Sequence, residues 1–121
     1  MPKKILIVDD NALILELMGV ILDAYGYEVI TFSTGTGVVN EININHPDLV
    51  ILDAWLPGMD GRDICKLLKQ NKATEHLPVI ICSASDDLHK AMYQDGAPND
   101  ILPKPFDMND LLKKVNFQLA A

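Results

Sequence analysis

The sequence predicts an α/β fold: an open, five-stranded parallel sheet with helices on both faces. Three observations carry that prediction. Short, continuous runs of branched apolar residues at 5–8, 49–52 and 79–82 lack the alternation of a half-exposed strand, as strands buried on both faces do. Segments with apolar residues at helical spacing separate the runs. The short loops between them favour right-handed βαβ crossovers, which lay successive strands parallel in one sheet.

Ile5-Leu6-Ile7-Val8 is the first strand and ends on Asp9-Asp10. Asn11 is placed to cap a helix on which Ile14, Leu17, Met18, Ile21 and Leu22 recur at helical spacing, and Gly26 is placed to stop it. Residues 27–32 alternate and are rich in β-branched side chains, and the interrupting Glu28 suits a strand near a sheet edge. Residues 34–45 carry Val38, Val39 and Ile42 at helical spacing, but glycines, asparagines and β-branched residues predict only a weak helix ending before His46-Pro47. Leu49-Val50-Ile51-Leu52 reads as a central strand that stops at Asp53. The Pro57-Gly58 turn and the Asp60-Gly61 pair then lead into a helix bearing Ile64, Cys65, Leu67 and Leu68, running to about Asn71.

After a loop over residues 74–78, Val79-Ile80-Ile81-Cys82 is a fourth strand ending on Ser83-Ala84-Ser85. Asp86 and Asp87 suit the N-terminus of a helix that presents Leu88, Ala91 and Met92 and stops at Gly96. A short fifth strand over residues 100–102 runs into Pro103-Lys104-Pro105-Phe106. Asp107 caps a last helix with Leu111, Leu112, Val115 and Leu119 inward.

Bulk properties narrow the function. A length of 121 residues, 49% apolar and 22% charged, is expected to form one soluble domain over residues 1–121. Met1 and the stop after the fifth helix suit a complete, single-domain chain. The net charge of −7 argues against general nucleic-acid binding, which needs a basic surface. Cys65 and Cys82 lie in apolar segments and are expected as buried, reduced thiols of a reducing compartment. No signal peptide and no apolar run near the roughly 20 residues of a membrane span is present, so the expectation is a cytoplasmic protein without membrane attachment.

Parallel strands bring their carboxyl ends to one rim, and in open α/β sheets that rim holds the ligand site. Here it gathers Asp9, Asp10, Asp53, Ser83 and, just past the fifth strand, Lys104. Three neighbouring carboxylates must be relieved by protonation or by a cation. An all-oxygen set suits Mg²⁺, and the absence of Cys and His from the strand ends counts against zinc or copper. An Asp carboxylate can act as nucleophile and become an aspartyl phosphate; Ser83 offers a hydrogen-bond donor and Lys104 a positive charge to an incoming phosphoryl group. A haloacid-type phosphatase would need a second acid two residues after its nucleophile, where Trp55 stands. Gly35-Thr36-Gly37 is not a dinucleotide fingerprint, because Asn40 replaces the third glycine. His46, His76 and His89 read as isolated solvated residues, the methionines mostly as core filler, Lys113-Lys114 as a solvated helix face, and Trp55 as a rim residue beside the pocket.

Val8-Asp9-Asp10-Asn11, Asp53 with Leu56-Pro57-Gly58-Met59-Asp60-Gly61, Ser83-Ala84 and Lys104-Pro105-Phe106 occur in this order at strand ends. In them the chain resembles, over essentially its whole length, the response-regulator receiver domain of two-component signalling. The resemblance implies a flavodoxin-like sheet of order 2-1-3-4-5 and a cis peptide between Lys104 and Pro105. It implies that Asp53 accepts a phosphoryl group from a histidine kinase or histidine phosphotransfer protein. Asp9, Asp10, Asp53 and the backbone carbonyl of Trp55 would hold Mg²⁺, with Ser83 as switch hydroxyl and Lys104 as phosphate-pairing lysine. Such a domain is no free-standing enzyme; it assists only its own phosphorylation and dephosphorylation. It signals by relaying phosphate or by docking a downstream protein on the face of its fourth helix, fifth strand and fifth helix.

The chain departs from the family pattern at Ile101, where most receivers carry Tyr or Phe, and in residues 96–100, which form a connection one residue longer than usual. An aliphatic side chain has no ring to swing inward when the hydroxyl moves. The competing expectation is therefore an adaptor on the receiver fold whose partner binding ignores phosphorylation.

Overall fold

In the computed structural model, which describes residues 2–84 and 94–120, each continuous apolar run is a strand. The long strands are β1 (Lys4–Val8), β2 (Glu28–Phe32), β3 (Leu49–Asp53), β6 (Val79–Ser83) and β7 (Asp100–Pro103). A two-residue antiparallel pair, β4 (Trp55–Leu56) with β5 (Met59–Asp60), sits between β3 and the next helix. The helices are α1 (Ala12–Ala24), α2 (Val38–Asn45), α3 (Gly61–Gln70) and α4 (Met108–Leu119). The expected helix through Asp86, Asp87, Leu88, Ala91 and Met92, with Ser85 and His89, lies outside the described residues.

The five long strands are parallel in the order β2-β1-β3-β6-β7, which is 2-1-3-4-5 when the small hairpin is left uncounted. Alternate residues of each strand feed two separate cores. Leu6, Val8, Val50, Leu52, Val79 and Ile81 pack with Val38 and Ile42 of α2 and Ile64, Cys65 and Leu68 of α3. Ile5, Ile7, Leu49, Ile51, Ile80 and Cys82 pack on the opposite face with Met18 and Leu22 of α1 and Leu111, Leu112 and Val115 of α4. Both faces being covered, neither tolerates a polar residue, and the alternation vanishes from the sequence.

Local chemistry sets the element ends. Asn11 Oδ1 accepts from the backbone N–H groups of Leu13 (3.0 Å) and Ile14 (3.2 Å), capping α1. Gly26, at φ 90°, takes the left-handed conformation that ends it. Asp107 caps α4 through Asp110 N–H at 2.7 Å. The weak second helix is shorter than the expected 34–45: its first turn is lost to bends and Gly37, at φ 83°, stands before Val38. The long connection before β7 is fastened at Asn99, whose side-chain oxygen accepts from Lys69 Nζ (2.6 Å) and from Val79 N–H (3.0 Å).

Several expectations need correction. Leu17 and Leu67 are 55% and 53% exposed: α1 and α3 carry apolar residues around more of their circumference than the sheet covers, and spacing alone does not mark which ones face inward. Among the described methionines only Met18 is core, whereas Met59 and Met108 are exposed. The β4–β5 hairpin was not expected either, since two-residue strands are too short to show a period. Cys65 and Cys82 are buried free thiols, as expected, and burial raises their pKa to about 11 and about 12. No helix of the described residues is long and apolar enough to cross a membrane.

Two of the leucines of α1, Leu22 and Leu17, give a direct check on this packing. Leu22→Ala, at a fully buried site, is expected to cost about 2–5 kcal/mol in urea denaturation. Leu17→Ala, at a half-exposed one, should stay below about 1 kcal/mol.

Candidate functional site

The rim is built by the sheet itself, whose ladder runs one residue past three of the strands. Asp9 N–H donates to Phe32 O (3.1 Å), Ala54 N–H to Cys82 O (2.9 Å) and Lys104 N–H to Ser83 O (2.9 Å). The backbone at or beside Asp9, Asp53, Ser83 and Lys104 is therefore tied to a neighbouring strand. Asp53 is the last residue of β3 and Ser83 the last of β6; both are buried, as is Asp9, while Asp10 is exposed. One carboxylate oxygen from each of Asp9, Asp10 and Asp53 lies within 4.8 Å of the other two.

Lys104 reaches into this group from beyond β7. Its Nζ donates to Asp9 Oδ2 at 2.7 Å and stands 3.6 Å from Asp53 Oδ2. The lysine thus hydrogen-bonds Asp9 and acts on Asp53 through charge. The other Asp9 oxygen accepts from Asn11 N–H at 2.9 Å, so the residue that caps α1 also holds this carboxylate. Asp53 Oδ1 takes a longer bond, 3.3 Å, from Trp55 N–H. The Lys104–Pro105 peptide is cis, as the resemblance implies.

The balance of charge is negative. Burial raises the Asp53 carboxyl pKa above the ordinary range; Lys104 pulls it down, Asp9 pushes it up, the Trp55 N–H lowers it, and Asp10 adds a further push upward. For Lys104 burial acts to lower the pKa, but the hydrogen bond and charge of Asp9, with the charge of Asp53, outweigh it and the net shift is upward. Among the described residues one ammonium faces the three clustered carboxylates and does not compensate them. The donor set is all oxygen, and its uncompensated charge fits a hard divalent cation.

The structure therefore gathers Asp9, Asp10, Asp53 and Lys104, with Ser83 at the neighbouring strand end. Trp55 is on the rim, 53% exposed. Two residues support the site through contacts that the sequence did not show. The first is Gly61: a Cβ there would lie 2.1 Å from the carbonyl oxygen of Asp53, because the start of α3 is laid directly on the Asp53 backbone and Gly61 N–H donates to Ala54 O at 2.8 Å. The second is Arg62, which grips Asp60 and lies over the Trp55 ring. Its only sequence signal was its place two residues after a helix cap.

Comparison with known proteins agrees with this arrangement. The response regulator receiver domain family matches residues 5–116. The alkaline phosphatase synthesis transcriptional regulatory protein PhoP of Bacillus subtilis is 35% identical over 116 residues, which cover 95% of this chain and 48% of PhoP. A candidate response regulator from Chloroflexus aurantiacus superimposes with a TM-score of 0.91 at 34% identity, covering 100% of both chains. The chemotaxis response regulator CheY4 of Vibrio cholerae gives 0.89 at 25% identity, covering 98% of this chain and 100% of its own. The chain spans about half the length of the curated relatives it matches.

Two substitutions test the geometry. The folded-state pKa of Asp53 lies above its unfolded value, so the folded state holds the extra proton and stability falls as pH rises through that window. In cation-free buffer, Asp53→Asn should melt above wild type at neutral pH, with the gain shrinking as pH falls towards about 4. Gly61→Ala should destabilise by about 1–3 kcal/mol in urea denaturation, because the atoms it meets are backbone and cannot swing aside.

Proposed function

The chain belongs to the response regulator receiver family of two-component signalling, and on that premise we propose that Asp53 is its phosphoacceptor in a Mg²⁺-dependent transfer from a phosphohistidine. One observation carries the reading: a buried carboxylate at a strand end, within 4.8 Å of two further carboxylates and 3.6 Å from a lysine ammonium. An oxygen of Asp53 attacks phosphorus, the P–N bond to the donor imidazole breaks, and the electron pair leaves on that nitrogen. Lys104 pairs with the transferred phosphoryl oxygens, and the Ser83 hydroxyl donates to them. Asp9, Asp10, Asp53 and the backbone carbonyl of Trp55 are the groups that would hold Mg²⁺, which when bound neutralises charge between the carboxylate and the phosphoryl group.

The donor is a histidine kinase or histidine phosphotransfer protein, and the phosphorylated domain passes its message by docking or by relaying the phosphoryl group. The docking face includes β7 and α4, where Phe117 is 77% exposed. A second reading, the phosphorylation-independent adaptor, is favoured by Ile101. That side chain is only 6% exposed and already packed in the core beside Ile81, with no ring to move inward.

Acetyl phosphate with Mg²⁺ separates the two. Wild type is expected to gain one acid-stable, base-labile phosphate by intact mass, Asp53→Asn none, and Lys104→Ala to react about 10²-fold more slowly. Equal labelling of Asp53→Asn would defeat the acceptor reading. Labelling of Asp53 with no amide-resonance change in β7 or α4 would favour the adaptor.

A further inference from the structure

We propose that Arg62 is a positioning residue for this site: anchored on Asp60, its guanidinium holds the Trp55 indole and so fixes the backbone that serves Asp53 and the cation. The proposal rests on the reading of Asp53, Asp9 and Asp10 as acceptor and cation site.

The segment concerned is the β4–β5 hairpin. Trp55 pairs with Asp60 and Leu56 with Met59 around the Pro57-Gly58 turn. A two-residue ladder is too short to hold itself, so its geometry depends on what braces it. On one side Leu56 is buried in the core. On the other, Arg62 makes a fork onto the Asp60 carboxylate: Nε at 3.1 and 3.2 Å from its two oxygens and Nη2 at 2.7 Å, with the Arg62 backbone N–H adding a bond at 2.8 Å. The same guanidinium lies 4.9 Å from the centroid of the Trp55 ring, within the range of a cation–π contact.

These contacts close a loop. Trp55 is joined to Asp60 across the hairpin, Asp60 to Arg62 by the fork, and Arg62 back to Trp55 through the ring. An exposed ion pair alone contributes little. Here, however, the chain it braces runs straight into the site: Trp55 N–H donates to Asp53 Oδ1 at 3.3 Å, a length at which a small displacement breaks the bond. With 53% of its surface in solvent, the indole draws less on core packing than a buried ring, and the guanidinium contact weighs correspondingly more. A lysine keeps the charge but lacks the planar fork that grips Asp60 and stacks on the ring together.

The test is calorimetric titration with Mg²⁺ of wild type, Arg62→Ala, Arg62→Lys, Trp55→Leu and the Arg62→Ala/Trp55→Leu double variant, with thermal melts alongside. Arg62→Ala is expected to raise the Mg²⁺ dissociation constant about fivefold. Arg62→Lys should fall between it and wild type, and in the Trp55→Leu background Arg62→Ala should change the constant less than about twofold. Arg62→Ala should also speed the local reorientation of Trp55, the only tryptophan, in fluorescence anisotropy without Mg²⁺. Wild-type affinity in Arg62→Ala, whatever its melting temperature, overturns the proposal, and so does an equal loss in both backgrounds. If wild type itself takes up no Mg²⁺, the reading of the cation site fails and this proposal with it.

Discussion

Among the described residues one lysine faces three carboxylates, and that imbalance organises the rim. Lys104 arrives from beyond the last strand to meet Asp9 at 2.7 Å, bridging 95 residues of sequence. Removing one partner of such a buried pair commonly costs about 3–5 kcal/mol, because the other charge is left stranded. The pair therefore joins the two halves of the chain at the rim. Yet it satisfies Asp9 more closely than Asp53, which keeps a raised pKa and an unmatched charge. A fold selected only for stability would not retain Asp53 ionised at that position. The residual charge is what a divalent cation and a phosphoryl group can use.

Supporting this cluster requires the surrounding backbone to be immobile, and the sheet supplies that. β3 is buried along its whole length, between β1 and β6, with a separate apolar core on each face. Gly61 then brings the start of α3 into contact with the Asp53 carbonyl, and Asn11 links the Asp9 carboxylate to the cap of α1. The Asp9 carboxylate and the Asp53 backbone are thus each held by a helix start as well as by a strand end. The β4–β5 segment is the less constrained part, since its ladder is only two residues long.

The parts of this arrangement open to sequence reading were those with a strong period or a fixed chemical place. Continuous runs gave β1, β3 and β6, capping residues gave the starts of α1 and α4, and acids at strand ends gave the carboxylate cluster. The direction in which α1 and α3 turn was hidden: with apolar residues on several sides, Leu17 and Leu67 satisfy helical spacing as well as Met18 and Leu68 do, and only packing separates them. The Arg62 contacts were hidden for a different reason. They depend on how a hairpin folds Trp55 back towards α3, which no local pattern encodes. Ile101 was informative in both views: an aliphatic residue where a ring was expected, and a side chain already buried in the core.

The central claim is that Asp53, of all the acids on the rim, takes the phosphoryl group. Borohydride reduction of the acyl phosphate, followed by peptide mapping, tests it most directly. Protein phosphorylated with acetyl phosphate and Mg²⁺ should yield homoserine at position 53 alone. Homoserine at position 9 or 10, or none anywhere in a protein that has gained phosphate, would contradict the account.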